Sequence, residues 1–107
     1  MSESTYYVLA ALLDERLHGY GIVKKAGVIS GGAVKLTTGT LYGALDRLVG
    51  QGLVKPDGEE EVRGRLRRYY RITDSGAEAV RTEADRMRRA VKAVAGPRRA
   101  TLEASAR

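Results

Sequence analysis

Arginine dominates the segment between residues 63 and 71, which holds five arginines, two tyrosines and no acidic residue. A guanidinium group stays charged at neutral pH and donates paired N–H bonds, so it suits a phosphate or carboxylate partner. Because side chains alternate between the faces of a strand, the spacing predicts a strand with one mostly basic face. That face carries Arg65, Arg67, Tyr69 and Arg71. The row favours contact with the backbone or a groove of a nucleic acid, and the alternative is a solvated strand edge.

The basic strand is predicted to be the second strand of a β-hairpin. Leu53–Lys55 begins the hairpin, and the turn-forming and acidic residues of Pro56–Glu61 predict a loose tip. The return strand is expected from Arg65 to Ile72, with Arg63 just before it. Arg68 lies on the mostly apolar face of that strand, so we expect it to pair with a glutamate of the same hairpin.

A helix is predicted immediately before the hairpin, because apolar residues recur there at the spacing of one helix face. These residues are Leu41, Ala44, Leu45 and Leu48. Thr37 and Thr38 precede them and offer hydroxyls for an N-cap. The outward face carries Gly39, Gly43 and Gly50. Since a glycine in a helix interior costs about 1 kcal/mol relative to alanine, the pattern indicates that packing holds this helix or that a partner such as DNA approaches its backbone.

The N-terminal turn of this helix is the predicted binding end, because a helix N-terminus favours phosphate. The residues expected to meet phosphate there are Lys35, Thr37, Thr38 and, through its amide, Gly39. The side chains placed to reach bases or backbone beside that turn are Thr40, Tyr42 and Arg47. On the hairpin, the expected contacts to flanking backbone or minor groove come from Arg63, Arg65, Arg67 and Tyr69.

Two further helices are predicted nearer the N-terminus. The segment Thr5–Glu15 is nearly all apolar through its first two turns, which predicts a helix buried in the domain or against another subunit. Tyr6 and Tyr7 combine large apolar faces with polar tips, which suits either the core or an interface. His18–Ala26 predicts a second short helix, and Tyr20 is counted among its apolar residues.

The final helix is predicted from the cap signal Thr73–Ser75 to the stop signal at Gly96-Pro97. Its apolar residues have the alternating spacing of three and four that is typical of a coiled-coil seam. They are Ala77, Val80, Ala84, Met87, Val91 and Val94. At ~1.5 Å per residue the helix is ~30 Å long, too long for one small domain to cover. The pattern predicts a twofold homodimer, with Tyr6 and Tyr7 also expected near the contact.

Composition excludes several classes of protein. The chain has no cysteine and one histidine, His18, so disulfides, thiolate zinc and any metal site are not expected. No catalytic residues, cofactor or membrane span are expected either, because no nucleophile–base set, phosphate-binding loop or long apolar run is present. The net charge of +6 favours a polyanionic partner, and the cytoplasm, in association with the nucleoid, is the expected location.

The expected fold is mainly α with a small β-hairpin: a winged helix-turn-helix followed by a long C-terminal dimerisation helix. Its boundaries are placed at residues 4–73 for the winged helix-turn-helix, 74–96 for the dimerisation helix and 97–107 for a disordered tail.

Four sequence segments resemble the PadR family of transcriptional regulators, in its short form with one C-terminal helix. They are YYVLAAL (Tyr6–Leu12), HGYGI (His18–Ile22), GTLYGALDRLVGQGLV (Gly39–Val54) and GRLRRYYRITDSG (Gly64–Gly76). The resemblance covers about residues 6–94. It implies a winged helix-turn-helix that dimerises through its terminal helices, binds an inverted-repeat DNA operator and acts as a repressor relieved by a small-molecule effector.

Two other functions remain open at this point. The same basic surface could bind nucleic acid without operator specificity, although single-strand RNA readers need stacking aromatics and only Tyr69 and Tyr70 offer them. The winged fold could also serve as a protein-interaction adaptor. The operator, the regulated genes and the identity of any effector do not follow from the sequence.

Overall fold

The computed structural model describes the backbone of residues 1–105 and the side chains of residues 1–95. Four helices and three strands follow one another along the chain. Their bounds are Glu3–Ala11 (α1), Leu17–His18 (β1), Gly19–Ile29 (α2), Thr38–Gly50 (α3), Val54–Val62 (β2), Arg65–Ile72 (β3) and Asp74–Ser105 (α4). The predicted architecture of a mainly helical chain with a hairpin and a long terminal helix is confirmed. Within the described residues, no helix combines the length and apolar character needed to cross a bilayer.

The core lies where α1, α2 and α3 meet the start of the hairpin and the first turns of α4. The predicted stripe of α3 is buried in full, with Leu41, Ala44, Leu45 and Leu48 each at most 2% exposed. The other buried side chains include Val8 and Leu9 of α1, Ile22 and Ala26 of α2, Val54 of β2, Tyr70 of β3 and Val80 of α4. Burying a large aliphatic side chain contributes about 1.5–3 kcal/mol, so this cluster fixes how α3 and the hairpin lie relative to each other.

Helix α1 begins and ends earlier than the sequence pattern predicted. The Ser2 hydroxyl accepts a hydrogen bond from the Thr5 amide at 3.1 Å and caps the helix, so helical structure starts at Glu3 rather than Thr5. The helix ends at Ala11 rather than Glu15. The chain must turn there, because residues 17 and 18 pair with β3.

The short strand β1 was not predicted. Leu17 pairs with Tyr70 and His18 with Tyr69, which makes a three-stranded antiparallel sheet in the order β1-β3-β2. Two residues are too few to produce a recognisable alternation, so this strand exists only through its pairing. It fixes β3 against the helical core.

Helix α2 follows β1 directly and corrects the prediction for Tyr20. This side chain is 71% exposed, whereas Ile22 and Ala26 are completely buried. Tyr20 lies in the first turn of α2 and points away from the stripe that those two residues form. It is therefore a surface residue and not part of the core.

The hairpin turn lies at Arg63-Gly64, not in the acidic segment where the sequence placed the tip. Both residues have positive φ, 54° and 76°, as a two-residue type I′ turn requires. Glu59, Glu60 and Glu61 lie in β2 and pair with β3. Segments with turn-forming composition can still join a strand, because hairpin register and cross-strand partners compensate for weak propensity.

The proline-glycine segment of β2 forms a bulge instead of a turn. Pro56 pairs with Tyr70 and Glu59 pairs with Arg68, which leaves Asp57 and Gly58 without partners in the register. Such an irregularity bends a strand and increases its twist. It therefore sets the direction in which the outer half of the hairpin leaves the core.

Helix α4 is anchored at its start by Thr73 and Gly76. The Thr73 hydroxyl donates to the Gly52 carbonyl at 2.7 Å and accepts from the Gly76 amide at 3.0 Å, which confirms the predicted cap. A Cβ added at Gly76 would lie 2.0 Å from the Leu53 carbonyl oxygen. Only glycine therefore allows α4 to start so close to the beginning of the hairpin.

The end of α4 differs from the prediction. The sequence placed it at Gly96-Pro97, whereas the backbone continues as helix to Ser105. A proline removes one backbone hydrogen bond and bends a helix, but it does not prevent the following residues from remaining helical. Residues 106 and 107, the end of the predicted disordered tail, lie outside the described part of the chain.

Candidate nucleic-acid interface

The N-terminal turn of α3 is held by a threonine cap, as predicted. The Thr37 hydroxyl accepts from the Thr40 amide at 3.2 Å and donates to the Thr40 hydroxyl at 2.9 Å. Both hydroxyls are exposed. The amides of Thr38 and Gly39 belong to the first turn, where a helix has no internal acceptors. This turn can accept an anionic group at its end.

Tyr42 connects α3 to the start of α2. A Cβ added at Gly19 would lie only 2.6 Å from the Tyr42 hydroxyl, so the tyrosine lies directly over this glycine. The contact explains physically why an HGYG segment and a GTLY segment occur together: the first provides a bare backbone and the second provides the ring that covers it. Tyr42 remains 40% exposed.

Two neighbouring surface grooves lie beside α3, and one of them reaches the wing, by which we mean the hairpin β2–β3. One groove, of about 440 Å³, is lined by His18, Gly19, Tyr20, Tyr42 and Arg65–Arg68. The other, of about 550 Å³, is lined by Gly19, Tyr20, Val23, Leu36, Thr37, Thr38, Leu41 and Tyr42. Since Tyr20 and Tyr42 line both, one continuous surface runs from the α3 cap to the arginines of β3. Sequence reasoning missed Tyr20 because an aromatic residue at helix spacing resembles a core position.

Most arginines of the wing carry an unneutralised charge. Arg68 pairs with Glu59 at 3.5 Å, which confirms the predicted ion pair. Arg63, Arg65, Arg67 and Arg71 make no ion pair with any residue whose side chain is described. The alternation predicted for β3 is visible at its inner end, where Tyr70 is buried and Arg71 is exposed. Burial also raises the pKa of the Tyr70 hydroxyl, because the core disfavours the charged phenolate.

Tyr69 is more constrained than the other residues of the basic row. Its hydroxyl donates to Glu60 Oε2 at 2.9 Å, and its ring meets the His18 ring edge-on with centroids 5.5 Å apart. The Arg16 guanidinium lies 4.2 Å from the centroid of the Tyr69 ring. Sequence reasoning missed Arg16, since no pattern links it to a residue more than fifty positions away.

Two more predicted contact residues, Lys35 and Arg47, are also exposed. Lys35 lies in the segment before α3, and Arg47 lies in its last turn. Arg47 is therefore at the opposite end of the helix from the cap.

A match to a family model decides how this arrangement is classified. Residues 8–82 match the transcriptional regulator PadR-like family. This chain belongs to that family. The match covers the end of α1, all of α2 and α3, the wing and the first turns of α4, and it places the PadR-like chain in a family of transcriptional regulators.

Several solved structures share the PadR-like fold. A transcriptional regulator from Clostridium thermocellum is 26% identical with a TM-score of 0.71, and the alignment covers 85% of each chain. The structure of smu.1704 from Streptococcus mutans is also 26% identical, with a TM-score of 0.71 and 89% and 87% coverage of this chain and that one. Bacillus subtilis PadR, solved in complex with operator DNA, is 21% identical with a TM-score of 0.66, covering 75% of this chain and 45% of that chain.

One curated relative is an uncharacterised 37.1 kDa protein of a transposon in Streptomyces fradiae, 40% identical over 88 residues. These residues are 82% of this PadR-like chain but only 24% of the relative, so the chain spans about a quarter of the length of that protein.

The predicted dimerisation residues of the PadR-like chain fall into two groups. Val80 is 2% exposed and belongs to the core of the single chain, and Ala84 and Met87 are half-buried. Val91 and Val94 are 65% and 64% exposed. The seam that the sequence treated as continuous is therefore already covered at its start and open at its far end.

The half-buried part of the seam lies beside the predicted tyrosine pair. Tyr6 and Tyr7 are half-buried and meet edge to face, with ring centroids 5.2 Å apart. A groove of about 370 Å³ runs between α1 and α4, lined by Met1, Ser2, Glu3, Tyr6, Tyr7, Glu83, Arg86 and Met87. Arg86 donates to Glu83, which holds the pKa of that carboxyl below its usual range.

Proposed function

We propose that this PadR-like chain is a sequence-specific DNA-binding regulator that acts as a homodimer on an inverted-repeat operator. The observation that carries the proposal is the continuous surface between the cap of α3 and the unpaired arginines of β3. A helix and a basic ribbon that share one surface match what duplex DNA offers, a groove for the helix and an adjacent backbone for the ribbon.

The two elements have different roles in this proposal. The α3 turn with Lys35, Thr37, Thr38 and the Gly39 amide holds a phosphate, while Thr40, Tyr42 and Arg47 meet bases or backbone. On the wing, Arg63, Arg65 and Arg67 contact flanking phosphates or the minor groove. Two observations support the assignment. The side chains named for α3 and those of Arg63 and Arg65 are exposed, whereas Arg67 is half-buried. None of the three arginines has a carboxylate partner among the described residues.

Dimerisation brings two such surfaces onto successive turns of one duplex. The exposed valines of the far half of α4 support it, since an isolated helix gains nothing from two large apolar side chains in water. Bound over a promoter, the dimer blocks transcription. A small molecule that changes the angle between the α4 helices shifts the half-site spacing and releases the DNA. The groove beside Tyr6, Tyr7 and Met87 supports this part, because a ligand there would lie next to the seam.

A salt series tests the proposal directly. With about six to eight phosphates neutralised per dimer, the slope of log affinity against log salt on duplex DNA is expected near −5 to −7. Fluorescence anisotropy with a labelled duplex of about 40 base pairs, long enough for two half-sites one turn apart, provides the measurement. A slope shallower than about −2 contradicts phosphate-dominated binding.

Selection from a pool of random duplexes tests sequence specificity. An enriched inverted repeat is the expected result, and substitution of Thr40 or Tyr42 should change its sequence. Binding that shows the predicted salt slope but enriches no motif would favour the alternative of a nucleic-acid-binding protein without operator specificity. Single-stranded RNA as competitor separates duplex binding from single-strand binding.

A further inference from the structure

We infer that Arg16 is a positioning residue that fixes the direction of the wing, and that Tyr69 acts with it in this role. The inference rests on the proposed function, because the wing is the element that meets DNA. It changes the role of Tyr69, which the sequence assigned to direct DNA contact, and it adds a residue from the loop after α1.

Arg16 joins three elements through two contacts. Its Nη1 donates to the Asp57 carbonyl at 2.9 Å, and its guanidinium covers the Tyr69 ring. Asp57 lies in the β2 bulge without a partner in the register, so its carbonyl is available to a side chain. The α1–β1 loop is thereby connected to β2 and β3 at the point where the wing leaves the core.

Tyr69 extends this connection along the wing. Its hydroxyl binds Glu60, and Glu60 is the register partner of Arg67. The contact holds the carboxylate of Glu60 on the tyrosine, while Arg67 makes no ion pair with any described residue. Arg16 therefore orders the ring, the ring orders Glu60, and Arg67 keeps its charge for a partner.

The wing needs such an anchor because its outer half is only two strands wide. β1 pairs with Tyr70 and Tyr69 and goes no further, so from Arg68 to the turn β3 pairs with β2 alone. An isolated two-stranded ribbon is marginally stable in water. A contact at the base of the hairpin therefore limits how much the orientation of the hairpin, and with it the position of the arginines near its turn, can vary.

The test compares Arg16→Ala with two arginine controls in the full-length protein. Arg16→Ala is expected to weaken duplex binding about three- to fivefold, the equivalent of one exposed cation–π contact, with the salt slope unchanged. Arg67→Ala removes one phosphate contact from each subunit of the dimer and is expected to flatten the slope by about two, about one per lost contact. Arg89→Ala removes the same charge from an exposed position on α4 and should change neither quantity.

A second measurement does not depend on DNA. Backbone ¹⁵N relaxation of the free protein should show larger-amplitude motion at Glu60 and Arg67 in Arg16→Ala than in the parent, with the α3 amides unaffected. Arg16→Lys keeps a cation over the ring and should restore part of the order and the affinity. In a double-mutant cycle, Arg16→Ala and Tyr69→Ala should be less than additive, because they remove one shared contact.

Three outcomes overturn the inference. If Arg16→Ala flattens the salt slope as Arg67→Ala does, Arg16 itself contacts phosphate. If affinity and wing order match the parent, the contacts do not direct the wing. If Arg16→Ala lowers the melting temperature as strongly as a core substitution, its role is in the fold as a whole. A parent protein that fails to bind duplex DNA refutes the proposed function, while wing order in the free protein still tests Arg16.

Discussion

The first turns of α4 and the far half of the same helix differ in what covers them. At the start, Gly76 lies against the Leu53 carbonyl and Val80 is buried in the core. Just past the middle of the helix, Val91 and Val94 are mostly exposed. One helix therefore contains a region that the chain completes by itself and a region that it leaves open. The apolar spacing is the same in both, so spacing alone does not tell a fold contact from an assembly contact.

The same contrast holds between individual glycines. Gly76 has no space for a side chain, whereas a Cβ added at Gly39 or Gly50 of α3 would meet nothing within 4 Å. The fold of the single chain requires the first glycine and does not require the other two. If Gly39 has a steric role, that role depends on a partner.

The largest effect is expected where the chain is crowded by its own atoms. Gly76→Ala should lower the free energy of unfolding by about 2–3 kcal/mol or prevent folding, because overpacking against backbone cannot be relieved by a rotamer change. Urea denaturation followed by circular dichroism measures the loss. Gly50→Ala is the control and should be neutral or stabilising by up to about 1 kcal/mol. Equal stability of the two variants would contradict the crowding at Gly76.

The next effect concerns the exposed part of the α4 seam, Val91 and Val94. Val91→Glu with Val94→Glu should produce a folded monomer that binds DNA at least about 100-fold more weakly, since each half-site then binds without the effective concentration that linkage provides. Sedimentation measures the oligomeric state, and fluorescence anisotropy measures the affinity for DNA. Ala93→Glu is the control on the same helical turn. A parent protein that sediments as a monomer at micromolar concentration would refute the seam as an interface.

A substitution within the covered part of the seam should behave differently. Ala84→Glu with Met87→Glu places two charges beside α1 in the single chain as well as at the proposed interface. We expect this variant to lose stability in addition to dimerisation, because buried charges without partners are costly. If its melting temperature equals that of the Val91→Glu, Val94→Glu variant, the two halves of the seam do not differ.

A smaller effect is expected on the wing. Arg65→Ala with Arg67→Ala should weaken binding to all duplexes alike, by about tenfold, and flatten the salt slope by about one per lost contact. Thermal stability should not change, because neither side chain makes an ion pair with a described residue. An unchanged affinity would mean that the basic row is a solvated strand edge.

The smallest effect separates the two open glycines of α3. Gly39→Ala should weaken DNA binding a fewfold if a phosphate approaches the first turn, while the added methyl meets nothing in the free protein. Gly50→Ala, at the other end of the helix, should bind as the parent does. Anisotropy at one salt concentration is sufficient for the comparison, and equal affinities would remove Gly39 from the interface.

Local sequence was a sufficient guide for the strongly periodic elements. The α3 stripe, a threonine cap at its start, the return strand from Arg65 and an ion pair between Arg68 and a glutamate of the hairpin were predicted and are present. In each case the determining interaction lies within about one helical turn or one hairpin. The family was also identified correctly from its motifs.

Sequence alone was a poor guide where distant segments meet. The turn at Arg63-Gly64, the pairing of β1, the exposure of Tyr20 and the contact between Arg16 and Tyr69 were all missed or misplaced. The acidic segment had turn-like composition, yet cross-strand pairing with β3 made it a strand.

The sequence by itself therefore determined which elements form, which face of α3 is buried and that the surface is basic, because apolar periodicity and charge are local properties of the chain. The tertiary structure decided where the wing turns, which residues hold its base and which part of the α4 seam remains open. Those features depend on how close in space two segments lie that are far apart in sequence, and only the packing of the folded chain sets that distance.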